Sequence, residues 1–308
     1  MTRFLLTLCL MITLSGCSSV QRVEDMQARQ WQQLGFTEQQ LALPNHQGQL
    51  HYFVGEHSDK PALLLIHGIG GTAINTWSEV IPRINEHFYV IAVDLLWFGD
   101  SFSNQEATLP AQTQAMSALL DHLNITEVAV VGLSYGGFVT LDMMIHEPRV
   151  NKAIMISSPG LSLSDKEIAA LNQRFNKSSS SDIFVPKDHH GVRLLLDNSF
   201  ADFPWYPSFI DEQINQLYFA PNPSQKRALI DSLPSYRDQL LEQNVTQNLP
   251  PSLLLWGAKD KIFPLHLGME FARLLSSPIV IVANGSHVLS SDAPDVVGDV
   301  INEFLAND

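Results

Sequence analysis

Val128-Ala129-Val130-Val131-Gly132-Leu133-Ser134-Tyr135-Gly136-Gly137 passes from a short apolar run through a glycine-flanked turn into a helical run that continues from Phe138 to His146. Strand, tight turn and helix in that order are what a nucleophile elbow requires. A turn this sharp holds its central residue in a strained backbone, and larger side chains on either side would collide with the flanking strand and helix. Ser134 is thereby expected to stand out at the sheet edge, where the helix behind it aims amide groups and the positive end of its dipole at the same point. A Gly-Ser turn can also be merely structural, so the catalytic reading depends on what surrounds it.

Outward from this turn, short apolar runs recur at Ala62 to Ile66, Phe88 to Val93, Ala153 to Ser157, Ser252 to Trp256 and Ile279 to Ala283. Their brevity and composition predict fully buried strands. Helical spacing separates them at Trp77 to Ile84, Pro110 to Leu123, Leu267 to Leu275 and Pro294 to Leu305. This alternation predicts an α/β fold, a mostly parallel sheet flanked by helices on both faces. From about 161 to 248 the rhythm breaks: several helical stretches and an aromatic cluster (Phe200, Phe203, Trp205, Tyr206, Phe209) appear without a strong buried-strand signal. That interval is expected to be an inserted helical cap, its aromatic residues either forming the cap's own core or touching substrate.

With those residues in place, the chain resembles the α/β-hydrolase family from roughly residue 40 onward. His67-Gly68-Ile69-Gly70-Gly71, after the Ala62 to Ile66 strand, matches the family's HGxG loop. The resemblance implies an oxyanion hole made by the backbone amides of Ile69 and Tyr135, with His67 bracing the loop. Two such donors stabilise a tetrahedral oxyanion, each by about 3 kcal/mol. It also implies a general base at His287, in Ala283-Asn284-Gly285-Ser286-His287 after the last strand, and an orienting acid at Asp260, in Trp256-Gly257-Ala258-Lys259-Asp260. The order Ser134, Asp260, His287 is the one this fold uses. Ser158, Pro159 and Gly160 offer no carboxylate at the family's alternative acid position. Asp94-Leu95-Leu96-Trp97-Phe98-Gly99-Asp100-Ser101 resembles the DxPGxGxS segment but departs from it at Leu96 and Trp97. Asp94 is expected to brace loops, and Trp97 to add an aromatic wall near the pocket. His189 and His190 belong to the cap, lining a pocket or facing water.

Composition narrows the partners. The 308 residues carry 32 acidic against 18 basic side chains, a net charge of −14, which argues against nucleic acid. With 45% hydrophobic residues the chain can bury one large core. The N-terminus reads as a separate object: Arg3, then an almost wholly apolar run from Phe4 to Leu14, too short to span a membrane. Leu14-Ser15-Gly16-Cys17 resembles the bacterial lipobox, which implies removal of residues 1–16, lipid on Cys17 and, with Ser18 following, an outer-membrane address in a Gram-negative cell envelope. Cys9 would leave with the signal, so no intramolecular disulfide is expected. Residues 17–33, polar and Gln-rich, read as a short tether that can end in a helix, and 34–308 as the hydrolase domain.

The expected activity is hydrolysis of a small-molecule ester, lipase- or esterase-like, with no metal or organic cofactor. The serine in the elbow disfavours the aspartate-nucleophile chemistry of dehalogenases and epoxide hydrolases. A weak similarity of the segment from Pro186 to Pro204 to monoacylglycerol-lipase-like caps leans toward acylglycerol substrates. Rival readings are a carbon–carbon bond hydrolase or perhydrolase with the same three residues, and a non-catalytic envelope binding protein on a hydrolase-like scaffold.

Overall fold

A computed structural model describes residues 18–306 apart from 45, 46, 57, 204, 244 and 247. The signal-like segment and Cys17 lie outside the described residues. In chain order the strands are β1 (Thr37–Ala42), β2 (Gly48–Val54), β3 (Ala62–Ile66), β4 (Tyr89–Val93), β5 (Phe102–Ser103), β6 (Val128–Leu133), β7 (Val150–Ile156), β8 (Ser252–Gly257) and β9 (Ile279–Val282). The helices are α1 (Ser19–Gln33), α2 (Ala73–Trp77), α3 (Ile81–Ile84), α4 (Leu109–His122), α5 (Tyr135–His146), α6 (Asp165–Arg174), α7 (Ser180–Phe184), α8 (His189–Ser199), α9 (Phe209–Ile214), α10 (Pro223–Glu242), α11 (Leu265–Leu275), α12 (Leu289–Asp292) and α13 (Pro294–Ala306).

The strands form one sheet in the order β1-β2-β4-β3-β6-β7-β8-β9, with β5 beside β2. Pairing is parallel from β4 to β9 and antiparallel among β1, β2, β4 and β5. Because side chains alternate along a strand, each buried strand feeds two cores. Leu64, Ile66, Val130, Met155 and Leu254 pack with Met116, Val139 and Phe271 on one face. Leu63, Leu65, Val131, Ile154 and Leu255 pack with Trp77, Ile81, Val297 and Ile301 on the other. Both faces being dry explains why these strands read as continuous apolar runs.

Two regions depart from the sequence reading. The N-terminal antiparallel pair β1–β2 gave no buried-strand signal, because β1 is an exposed edge strand of composition TEQQLA. Residues 18–33, expected to be a short tether that can end in a helix, form helix α1 almost from their start, docked on the body. Ser18 caps it, its Oγ accepting from the Gln21 amide, and Trp31 is 1% exposed, packed on Phe36 and Phe53 with its indole N–H on Ser78 Oγ at 3.0 Å. The polar composition concealed an apolar anchor at the far end of the helix.

Between β7 and β8 the described residues form a short 3₁₀ turn at Gly160–Ser162, helices α6 to α10 and a π-helical turn at Asn215–Phe219, with no strand. In a parallel sheet the loops after successive strands gather at one edge. Here those after β3, β6, β8 and β9 converge under this helical segment.

Candidate active site

The turn between β6 and α5 places Ser134 at φ 54°, ψ −115°, a conformation that costs roughly 1–3 kcal/mol in a non-glycine residue. Neighbouring bonds hold it there: the Ser134 amide donates to Ile156 O at 2.8 Å, and Ser134 O accepts from the Gly137 amide at 2.9 Å. A side chain at Gly136 would strike the Ile66 and His67 carbonyls, and one at Gly132 would strike Gly136 O and Thr140 Oγ1. The turn can close against β3 only because both are glycine.

His287 reaches Ser134 from the loop after β9. Its Nε2 lies 2.9 Å from Ser134 Oγ, and its Nδ1 lies 2.9 Å from Asp260 Oδ2. Asp260 Oδ1 in turn accepts from the Ile262 and Phe263 amides, each at 2.8 Å. These bonds leave Nδ1–H donating to the carboxylate and Nε2 free to accept the serine proton. Ser134, Asp260 and His287 are 9%, 6% and 5% exposed, so the chain of hydrogen bonds lies largely out of water.

The segment with Ile69 lies against the same serine: a Cβ on Gly68 would stand 3.1 Å from Ser134 Cβ. Tyr135 opens α5, where a backbone amide has no partner within its own helix. Its phenol is buried without a hydrogen-bond partner among the described residues, and burial pushes its pKa up. His67 is fully buried and points away from this chemistry. Its Nε2 accepts from the Leu95 amide at 2.9 Å, so Nδ1 carries the proton that goes to Gly68 O at 2.7 Å. Burial also depresses its pKa, which keeps the ring neutral. Asp94 braces: its Oδ1 accepts from the Ala73 amide and its Oδ2 faces His51 Nδ1, both at 2.7 Å.

Two chambers meet at Ser134. One, of about 240 Å³, is walled by Ile69, Leu195, Leu196, Phe200, Ile214, Phe219 and Val20 and includes His287. The other, of about 210 Å³, is walled by Ile69, Tyr135, Phe138, Ile168, Leu171, Ile230 and Phe263, with Ser178 to Ser180 at one side. Ile69, Ser134 and Phe184 belong to both.

One single-residue reading needs correction, and two that were open are decided. Trp97 is no pocket wall: it is 1% exposed in the core, with its indole N–H on Ser103 O. His189 and His190 lie beside a separate surface recess with Trp205 and Tyr206. The aromatic cluster divides, Phe200 facing the first chamber while Trp205 and Phe209 stand exposed.

Sequence reasoning also missed two supports of the histidine loop. The Ser199 carbonyl, at the end of α8, accepts from the His287 and Val288 amides, both at 3.0 Å. Asp292 accepts from the Ser286 amide at 2.9 Å and from the Ala201 amide at 3.1 Å. Neither position carries a local signal, since a backbone carbonyl has no signature and an aspartate ahead of a helix reads as a cap.

Residues 61–294 match the sequence profile of the alpha/beta hydrolase fold. An uncharacterized hydrolase of Bacillus subtilis (strain 168), YugF, is 24% identical over 271 residues, 81% of this chain and 93% of that protein. The 2-hydroxy-6-oxo-6-(2'-aminophenyl)hexa-2,4-dienoic acid hydrolase of Metapseudomonas resinovorans is 25% identical over 255 residues, 79% of this chain and 83% of its own. Among solved structures, a candidate lipase from Acinetobacter baumannii AYE superposes with a TM-score of 0.78 at 22% identity, over 96% of this chain and 98% of that one.

Proposed function

This chain belongs to the α/β-hydrolase family, and within it we propose a serine hydrolase that cleaves carboxylic esters of lipid-like or acylglycerol type through an acyl intermediate on Ser134. The single observation that carries the reading is the continuous line of hydrogen bonds from Ser134 Oγ through His287 to Asp260. Ser134 Oγ attacks the ester carbonyl while His287 Nε2 takes its proton. The imidazolium so formed is held by Asp260 and then protonates the departing alcohol. The amides of Ile69 and Tyr135 receive the oxyanion, each contributing about 3 kcal/mol in the transition state. Water, deprotonated by the same histidine, releases the acid and restores the serine.

The composition of the chambers supports an ester over the dienoic acid cleaved by the Metapseudomonas relative. Among the described residues lining them there is no Lys or Arg, so a substrate carboxylate would be buried unpaired, at a cost of several kcal/mol. Neutral, apolar arms fit these walls. A binding protein with no activity would have no use for the base and its acid.

The test is labelling by a fluorophosphonate together with hydrolysis of p-nitrophenyl butyrate. Both are expected in the native protein, with hydrolysis reduced at least about a thousandfold in Ser134→Ala. Unchanged hydrolysis in that variant sinks the reading. The proposal includes lipid on Cys17 and a place in the cell envelope, supported by the lipobox-like Leu14-Ser15-Gly16-Cys17. It fails if Cys17→Ser is as firmly membrane-bound as the native protein.

A further inference from the structure

Helix α1 lies outside residues 61–294, the stretch that the family profile covers, yet it reaches the reactive site. Val20 lines the same chamber as Ser134 and His287. Burial along the helix follows the helical period. Val20, Glu24, Gln27, Ala28 and Trp31 turn inward, whereas Arg22, Val23, Asp25, Met26, Arg29 and Gln30 are exposed. The inward stripe therefore starts in the chamber at Val20 and ends in the core at Trp31.

The Val20 end of the helix is fixed from two sides. The amides of Ser19 and Val20, which have no partner within the helix, both donate to Gln213 Oε1 on α9, at 3.0 and 3.4 Å. One turn further on, Glu24 Oε1 accepts from the Thr72 hydroxyl at 3.1 Å, and the Tyr218 hydroxyl of the π-helical turn bonds the same carboxyl. Thr72 directly follows the His67 to Gly71 loop and caps α2, its Oγ1 accepting from the Asn75 amide at 3.2 Å. Asn75, Ile214 and Tyr218, which belong to these attachments or adjoin them, line the chamber together with Val20. A corner pinned to both the helical segment and the body yields little to an oversized group.

We propose that Val20, carried by a helix from outside the profile-matched part of the chain, sets the largest alcohol portion that this chamber accepts. The inference rests on the esterase reading. On that reading His287 protonates the departing alcohol, so the alcohol portion occupies the chamber that contains His287 and Val20. Leverage at a single wall residue is large, because one methylene in an apolar pocket changes discrimination by about tenfold or more.

The experiment measures kcat/KM for methyl, hexyl and cyclohexylmethyl acetate, and for methyl hexanoate, in the native protein, Val20→Ala and Val20→Phe. Relative to methyl acetate, Val20→Ala is expected to raise the value for cyclohexylmethyl acetate about fivefold, and Val20→Phe to lower it about tenfold or more. The ratio of methyl hexanoate to methyl acetate should be the same in all three, because the acid lies in the other chamber. Opposite shifts are what a wall produces, whereas a misplaced helix lowers every rate together. Val20→Ala removes only two methyl groups, so it decides alone if the bulk of phenylalanine undocks α1. An unchanged alcohol profile in Val20→Ala overturns the inference, as does a parallel loss on every ester or a shift confined to methyl hexanoate. A native protein that hydrolyses none of these esters and takes no fluorophosphonate sinks the esterase reading itself. Native hydrolysis with an unresponsive Val20→Ala sinks only the role of Val20.

Discussion

At the scale of single residues, the serine and its base are held by different means. Ser134 is held locally, by a strained turn that only its glycine neighbours permit and that its own backbone hydrogen bonds pin. His287 is held by hydrogen bonds that reach across the fold, to Asp260 on one side and, through its loop, to Ser199 and Asp292 on the other. The imidazole's position therefore depends on contacts that a single substitution can remove. Asp292→Ala is expected to lower kcat by about ten- to a hundredfold, since a displacement near 1 Å costs that much, and to leave KM nearly unchanged. Asp292→Asn, which keeps one acceptor oxygen, should recover part of the loss. Steady-state kinetics of the two variants check this, and a change confined to KM would refute it. Ser134, His287 and Asp260 were all legible in the sequence, because each sits just after a recognisable strand in a stretch that resembles an α/β-hydrolase motif. Asp292 was not, because its partners Ser286 and Ala201 lie on separate elements.

At the scale of elements, the two chambers meeting at Ser134 are chemically unequal. Of the two, the one walled by α8, α9 and Val20 contains His287, which in the proposed ester hydrolysis protonates the departing alcohol. On the proposed ester hydrolysis, the alcohol portion is expected in this chamber and the acyl portion in the one walled by α5, α6 and α10. Ile168→Trp, filling the acyl chamber, should reduce kcat/KM about tenfold or more for long p-nitrophenyl esters and leave the acetate nearly unaffected. Leu196→Trp should do the reverse, sparing methyl acetate and penalising acetates of bulky alcohols. Rates on the two ester series decide it, and the opposite pattern would exchange the assignment. The buried parallel strands were legible because both faces are dry and the sequence shows it in apolar runs. Edge strand β1 and the docked helix α1 were not, because their polar residues face water and their attachment comes from a few side chains, Trp31 above all.

At the scale of the whole molecule, buried ionisable groups give stability a pH dependence. Burial alone would lower the pKa of His51, but Asp94 at 2.7 Å and Glu38 at 2.9 Å outweigh it and raise it to about 9. The folded state then binds a proton that the unfolded chain gives up near 6.5. This contribution, at most about 3 kcal/mol, is complete below pH 6.5 and is lost as pH rises through 9. Lys226, buried with its ammonium on Tyr218 O and 4.8 Å from the Phe98 ring centre, has the opposite sign. Desolvation lowers its pKa to about 8, so its penalty is relieved only above that pH. The clean window is pH 6.5 to 8, where Tm should fall in the native protein and fall less in His51→Gln. Equal slopes in thermal melts of the two would show that the His51 pair makes no such contribution.

The sequence by itself determined the class of fold and the three residues that meet at its edge. Those are short-range properties: apolar runs long enough for a buried strand, glycines where a turn must be tight, and a serine, an aspartate and a histidine each just after a strand in stretches that resemble the family's motifs. Only the tertiary structure decided what surrounds them. Val20, Leu196, Ile214 and Ile168 stand far apart in the chain, and nothing local to any of them indicates a shared wall. The same is true of α1, whose polar residues read as a short tether that can end in a helix and whose docking comes from Trp31 at one end and Gln213, about 190 positions away, at the other. Chemistry here is written in local turns, whereas pocket shape and orientation arise from long-range contacts that exist only once the chain has folded.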